Sequence, residues 1–202
     1  MFGSVYLSAH REKGTIYALK SVVREKIDKF MIHESIKNER NLLLNIDNTM
    51  IMKLVKTFKD PQRIYFLMEY IHGIDLFDAI REIGIVDNDQ AKFYMGCLTL
   101  ALEHLAEQNI VHRDLKPENV MVDMNGYAKL IDFGTAKIMK NRTYTILGTP
   151  HYMAPEVIRG KGYNVSVDLW SIGIMLFEFI ACGVPFGENL EDSYAVYDAV
   201  LH

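Results

Sequence analysis

The chain has 202 residues and a mass of 23.2 kDa, enough for one large domain or two small ones. Hydrophobic residues make up 50% and charged residues 24%, which excludes disordered, collagen-like and low-complexity classes. Lys+Arg 22 against Asp+Glu 26 leaves −4 with no polybasic block, so neither nucleic acid nor an anionic lipid surface is expected as partner, and the two cysteines, Cys97 and Cys182, fit a reducing, cytoplasmic setting.

The first seventy residues read mostly as strands. Val5, Leu7 and Ala9 alternate, Gly14-Thr15 turns the chain, and Ile16 to Lys20 is the return strand of a hairpin. Ile32, Ile36 and Leu43, with Lys37, Glu39 and Arg40 between them, predict a helix from Ile32 to Leu44. Two further strand runs, Met52 to Phe58 and Ile64 to Tyr70, flank the turn Lys59-Asp60-Pro61. After His72-Gly73 the pattern becomes helical. Leu76 to Ile83 is stopped by Gly84, and Asp87, with Gln90 three residues on, caps a long helix whose buried stripe is Ala91, Tyr94, Met95, Leu98, Leu102 and Leu105. Leu169 to Phe186 is apolar but interrupted by Gly173, Glu178 and Pro185, so it reads as a core helix rather than a membrane span. The chemistry lies between these helices.

His112-Arg113-Asp114-Leu115-Lys116-Pro117-Glu118-Asn119 stands between the apolar pairs Ile110-Val111 and Val120-Met121, and Asp132-Phe133-Gly134 follows eighteen positions after Asp114. Eight specified positions arise by chance with a probability on the order of 10⁻¹⁰ per start site. This ordered pair resembles the catalytic loop and metal-binding triplet of eukaryotic protein kinases. The resemblance implies an α+β, two-lobed fold, with a strand-rich lobe over residues 1–70 and a helical lobe over 71–202, joined near Glu69 to Gly73. It also implies ATP and Mg²⁺ as cofactors. Asp114 would accept the proton of a substrate hydroxyl, Lys116 would neutralise the transferring phosphoryl group, and Asn119 and Asp132 would give Mg²⁺ the hard oxygen ligands it prefers.

The resemblance extends upstream. Gly3 and Val5 match the end of the glycine-rich phosphate loop, Lys20 the strand lysine of the α- and β-phosphates, and Glu39 its ion-pairing partner on a helix. The run Phe66 to Ile71 is similar to the hinge, offering adenine the carbonyl of Glu69 and the amide of Ile71, with Met68 as gatekeeper. Val5, Ala18 and Met121 would enclose the purine, and Asp75 at the hinge edge would share in ribose or peptide recognition. Downstream, Met153-Ala154-Pro155-Glu156 closes an activation segment, and Asp168 would brace the catalytic loop by accepting backbone hydrogen bonds.

The segment Arg142 to Glu156 resembles the AGC group, most closely the cyclic-nucleotide-dependent serine/threonine kinases of the cGMP-dependent type. Thr145 is then the expected phosphosite, its phosphate paired by Arg113 and Lys137. Thr149 would contact Asp114 and Lys116 and help select serine or threonine. Glu118 and Glu178 would bind arginines upstream of the target residue, because a planar guanidinium fits a carboxylate bidentately. The implied partners are protein or peptide substrates with upstream basic residues, and cyclic-nucleotide-binding regulatory domains in the same full-length chain. His112, His151 and Thr135 depart from this branch's usual residues. Two glycines of the phosphate loop would precede residue 1, and the arginine partner of Glu156 would follow residue 202. The expectation is therefore a fold truncated at both ends, with Glu156 unpaired and apolar surface uncovered on the core helix. The competing reading is a truncated or pseudokinase-like module that binds nucleotide or protein without catalysis.

Overall fold

A computed structural model describes residues 3–202. Four strands form the first sheet: β1 (Gly3–Ala9), β2 (Ile16–Val23), and, after the helices α1 (Arg24–Lys29) and α2 (His33–Asn45), β3 (Leu54–Lys59) and β4 (Arg63–Glu69). All neighbours are antiparallel, in the order β1-β2-β4-β3. The register sets Val5 opposite Lys20, Lys20 opposite Phe66, and Ala18 opposite Met68. Side chains on a strand alternate between faces, so these residues share the face that turns towards the rest of the molecule. Helix α2 buries Glu39, Leu42 and Leu43. The β3–β4 turn is held by Asp60, whose Oδ1 accepts from the amides of Gln62 and Arg63 at 2.7 Å each.

Two expectations change in this region. The single helix predicted from Ile32 to Leu44 is preceded by α1, whose six residues are too few to display a 3.6-residue period. The expected strand from Met52 begins at Leu54, after which the register against β4 shifts between Leu54 and Lys56.

The second half is mostly helical, with short strands between helices. It contains β5 (Gly73–Asp75), α3 (Leu76–Ile83), α4 (Asn88–Glu107), β6 (Ile110–Val111), β7 (Val120–Asp123), β8 (Ala128–Leu130), β9 (Lys137–Ile138), α5 (Pro155–Ile158), α6 (Val167–Ala181) and α7 (Ser193–Leu201). Gly84 ends α3 at φ 78°. Asp87 caps α4, its Oδ1 accepting from Asp89 and Gln90 at 2.8 and 3.1 Å. The predicted stripe of α4 is buried throughout, with Cys97 and Ala101 added to it. These residues, Phe133 and Phe179 belong to one apolar core that continues to Phe66 and Met68 beneath the first sheet.

Helix α6 runs from Val167 to Ala181 and stops at Cys182, which adopts φ 59°. It therefore ends before Pro185, and no helix among the described residues is long and apolar enough to cross a membrane. Leu169, Phe177 and Ile180 remain exposed along it. Glu156, half-buried in α5, forms no ion pair among the described residues.

Candidate active site

The catalytic-loop motif lies between β6 and β7, and its backbone is fixed from below. Asp168, in the first turn of α6, is 2% exposed, and its two carboxylate oxygens accept from the amides of His112 and Arg113 at 2.7 and 3.0 Å. Burial raises its pKa, partly offset by His112 and these two amides. Arg113 is held at φ 72°, a left-handed conformation costly for a residue with a Cβ, and its Nε donates to the Thr135 carbonyl at 2.6 Å. Phe133 is wholly buried with its ring edge-on to His112, which ties the Asp132-Phe133-Gly134 triplet to the loop.

Above this base, Asp114 gathers three hydrogen bonds. Its Oδ1 accepts from Thr149 Oγ1 at 2.7 Å, while Asn119 Nδ2 donates to its carbonyl at 2.8 Å and to its Oδ2 at 3.2 Å. A carboxylate offers about four acceptor positions, so room remains for a substrate hydroxyl. Lys116 is half-buried beside Pro117, and its carbonyl accepts from the Asn119 amide at 3.0 Å. Of the two contacts expected of Thr149, the one with Asp114 is present, and no hydrogen bond joins it to Lys116 among the described residues.

Facing the loop, the sheet presents Lys20. Its Nζ lies 2.6 Å from Glu39 Oε1 and 3.6 Å from Asp132 Oδ1. Burial pulls the ammonium pKa down, but Glu39 and Asp132 outweigh it, so Lys20 stands above its ordinary value and stays charged. Burial likewise raises Asp132, yet Lys20 and the Gly134 amide, donating at 3.0 Å, bring its pKa below the usual carboxylate range.

Between sheet and loop is a cavity of about 260 Å³. Its walls include Gly3, Val5, Ala18, Lys20, Met68, Glu69, Ile71, Met121, Asn119 and Asp132, the residues that the sequence assigned to nucleotide and metal. The exception is Asp75, which is not on that wall. Its Oδ1 instead caps α3, accepting from the Asp78 amide at 2.9 Å. Two apolar wall residues, Met52 and Ile131, escaped sequence reasoning, because an apolar side chain beside a strand carries no signal beyond ordinary packing. Asp132 and Asn119 offer side-chain oxygens at the cavity edge. This all-oxygen donor set suits Mg²⁺, which commonly takes one or two carboxylates and completes its shell with phosphate and water. Among the described residues no cluster of three His, Cys, Asp or Glu could hold a metal without such help.

A second cavity of about 640 Å³ is lined by Thr149, Glu118, His151, Tyr152 and Glu178. Glu118 lines both cavities, so the two adjoin at that residue, and Asp114 is hydrogen-bonded to a wall residue of each, Thr149 and Asn119. Tyr152 donates to Glu178 Oε2 at 2.7 Å. Thr145 is exposed, and its carbonyl accepts from Tyr163 at 2.6 Å. The two cations expected around it are engaged elsewhere: Arg113 with Thr135, and Lys137 with the buried Thr143 at 3.3 Å.

A family model described as the protein kinase domain matches residues 1–200. A cGMP-dependent protein kinase of Plasmodium berghei is 48% identical over 200 residues, covering 99% of this chain and 23% of the relative. One of Toxoplasma gondii is 46% identical, with 99% and 20% covered. A cAMP-dependent protein kinase catalytic subunit of Dictyostelium discoideum is 40% identical, with 99% and 31% covered. The chain thus spans between a fifth and a third of the length of these relatives.

Proposed function

Because the chain belongs to the protein kinase domain family, we propose that it transfers the γ-phosphoryl group of ATP to serine or threonine hydroxyls of protein substrates. The observation that carries this reading is the carboxylate of Asp114, bonded to Thr149 Oγ1 at 2.7 Å on the wall of the larger cavity and to Asn119 Nδ2 at 3.2 Å on the wall of the smaller. A hydroxyl brought from the larger cavity meets Asp114 as proton acceptor, and the phosphates in the smaller one meet Lys20. Lys116 carries positive charge beside the same loop, where charge on the transferring group develops. Asn119 and Asp132 would hold Mg²⁺, which when bound neutralises phosphate charge. Lys20 stays protonated through its contacts with Glu39 and Asp132, so it binds phosphate at neutral pH. The apolar walls of Val5, Ala18, Met68 and Met121 accept the purine, and the backbone of Glu69 and Ile71 lies in reach of its edge.

The finer reading is a basophilic kinase of the cGMP-dependent type. Glu118 and Glu178 line the larger cavity and favour arginine in the peptide. Thr145 is exposed as a phosphosite must be. The names of the Plasmodium berghei and Toxoplasma gondii relatives favour regulation by cGMP, through further domains of the full-length chain, and the two free cysteines fit a cytoplasmic setting.

The full-length protein, given ATP, Mg²⁺ and a serine peptide with upstream arginines, is expected to incorporate phosphate. Asp114→Asn should lower kcat by roughly 10²–10⁴-fold while ATP still raises the melting temperature. Thr145→Ala should lower activity without loss of stability. No transfer to any serine or threonine peptide would overturn the proposal.

A further inference from the structure

The larger cavity has a third carboxylate on its wall, that of Glu188, in the loop between α6 and α7. Two contacts fix this loop. Cys182 turns the chain out of α6 at φ 59°, and the carbonyl of Gly187, itself at φ 64°, lies 3.1 Å from His151 Nε2. His151 adjoins Tyr152, which holds Glu178, so the loop and the known acidic wall are connected through two consecutive residues.

Glu188 rests on Gly183. A Cβ at residue 183 would overlap Oε1 and Cδ of Glu188 and crowd its Oε2, so the missing side chain is the space that the carboxylate occupies. Glu188 forms no ion pair among the described residues. The nearby cation, Arg81, lines the same cavity with its guanidinium 4.2 Å from the Phe77 ring centroid. The wall therefore presents Glu118, Glu178 and Glu188 against Arg81 and His151.

We propose that Glu188 is a specificity-determining residue of this cleft, reading a further basic side chain of the peptide beyond the one taken by Glu178, with Gly183 as its seat. The inference rests on the kinase reading and its arginine preference. Glu178 stands on α6 with Tyr152 bonded to it, whereas Glu188 stands on the loop that follows, so two cationic residues of one extended peptide can each meet a carboxylate of their own. The more exposed Glu188 should discriminate less than a buried acid, by roughly three- to tenfold in kcat/KM at its position.

The test is an arginine scan of a serine peptide with the full-length protein, recording at each position the ratio of kcat/KM with arginine to that with alanine. Glu188→Gln should bring the ratio towards one at a single position, different from the position affected by Glu178→Gln. Gly183→Ala, which displaces the carboxylate but keeps its charge, should weaken the same position. Glu188→Arg should reverse the preference there to aspartate or glutamate. Unchanged ratios in Glu188→Gln, or an equal fall at every position, would overturn the assignment while leaving the kinase reading intact. A wild-type protein that phosphorylates no peptide overturns both, whereas one that phosphorylates peptides without any arginine preference overturns the assignment and leaves the kinase reading intact.

Discussion

Glu178 is held between opposing influences. Burial raises its pKa above the ordinary 4.5, the Tyr152 hydroxyl lowers it in part, and Glu118 raises it again. Capture of an arginine needs the ionised form. KM for arginine peptides should accordingly rise as pH falls through a value above the usual glutamate range, and Glu178→Gln should remove that rise. Tyr152→Phe deletes the hydrogen bond that favours the anion, so the rise should move to higher pH. A wild-type KM independent of pH, or an unmoved profile in Tyr152→Phe, would contradict this. The linkage to stability has the opposite sense: the folded chain holds the Glu178 proton more tightly than the unfolded chain, so its contribution to stability is lost as pH rises through the folded value. At this scale the sequence was legible wherever chemistry restricts residue type. Lys20, Glu39, Asp114, Asn119 and Asp132 could be named because carboxylate, amide and ammonium are not interchangeable there. Met52 could not, since many apolar residues would fill its place.

Among the elements, the long helices were read correctly because periodicity needs length. The 20 residues of α4 display several turns and a capping aspartate, whereas α1 and the two- and three-residue strands do not. Strand β5 illustrates what decides such short pieces. Gly73 pairs with Asp123 of β7, and a Cβ there would overlap the Val122 carbonyl, a backbone atom that cannot rotate aside. Gly73→Ala should therefore part β5 from β7 and cost about 1–3 kcal/mol of stability, measurable by denaturant unfolding. Gly73 also lines the cavity proposed for the nucleotide, so KM for ATP should rise in the same variant. A fully stable Gly73→Ala would show that the strands separate without penalty. Asp75, two residues on, was assigned to nucleotide or peptide by resemblance; the structure shows its Oδ1 capping α3, which leaves its other oxygen outside that bond.

At the scale of the whole molecule, the two halves are fastened behind the hinge. Lys129 Nζ on β8 lies 3.0 Å from both oxygens of Glu69 at the end of β4, and Glu69 also accepts from the Lys53 amide at 2.9 Å. Further along, the Met52 amide donates to the Leu130 carbonyl at 2.8 Å. Neither half shows this fastening in its own pattern, because an ion pair across sixty residues has no local signature. Lys129→Met leaves a partly buried carboxylate unpaired, and a loss of about 1–2 kcal/mol is expected after allowance for solvent screening. Hydrogen exchange should quicken in β4 and at residues 70–73, with the β1–β2 amides as an internal reference; equal exchange in variant and wild type would remove the fastening from the account.

The bonds from Asp168 have a mechanical meaning. They join the left-handed Arg113, and with it Asp114, to the first turn of α6, whereas Lys20 belongs to the opposite sheet. A spreading of the halves would lengthen the 3.6 Å gap between Lys20 and Asp132 yet leave Asp114 and Thr149 at their 2.7 Å separation. On the proposed reading, the group that would meet the acceptor hydroxyl stays with α6 in such a spreading, and only the sheet that presents Lys20 parts from it.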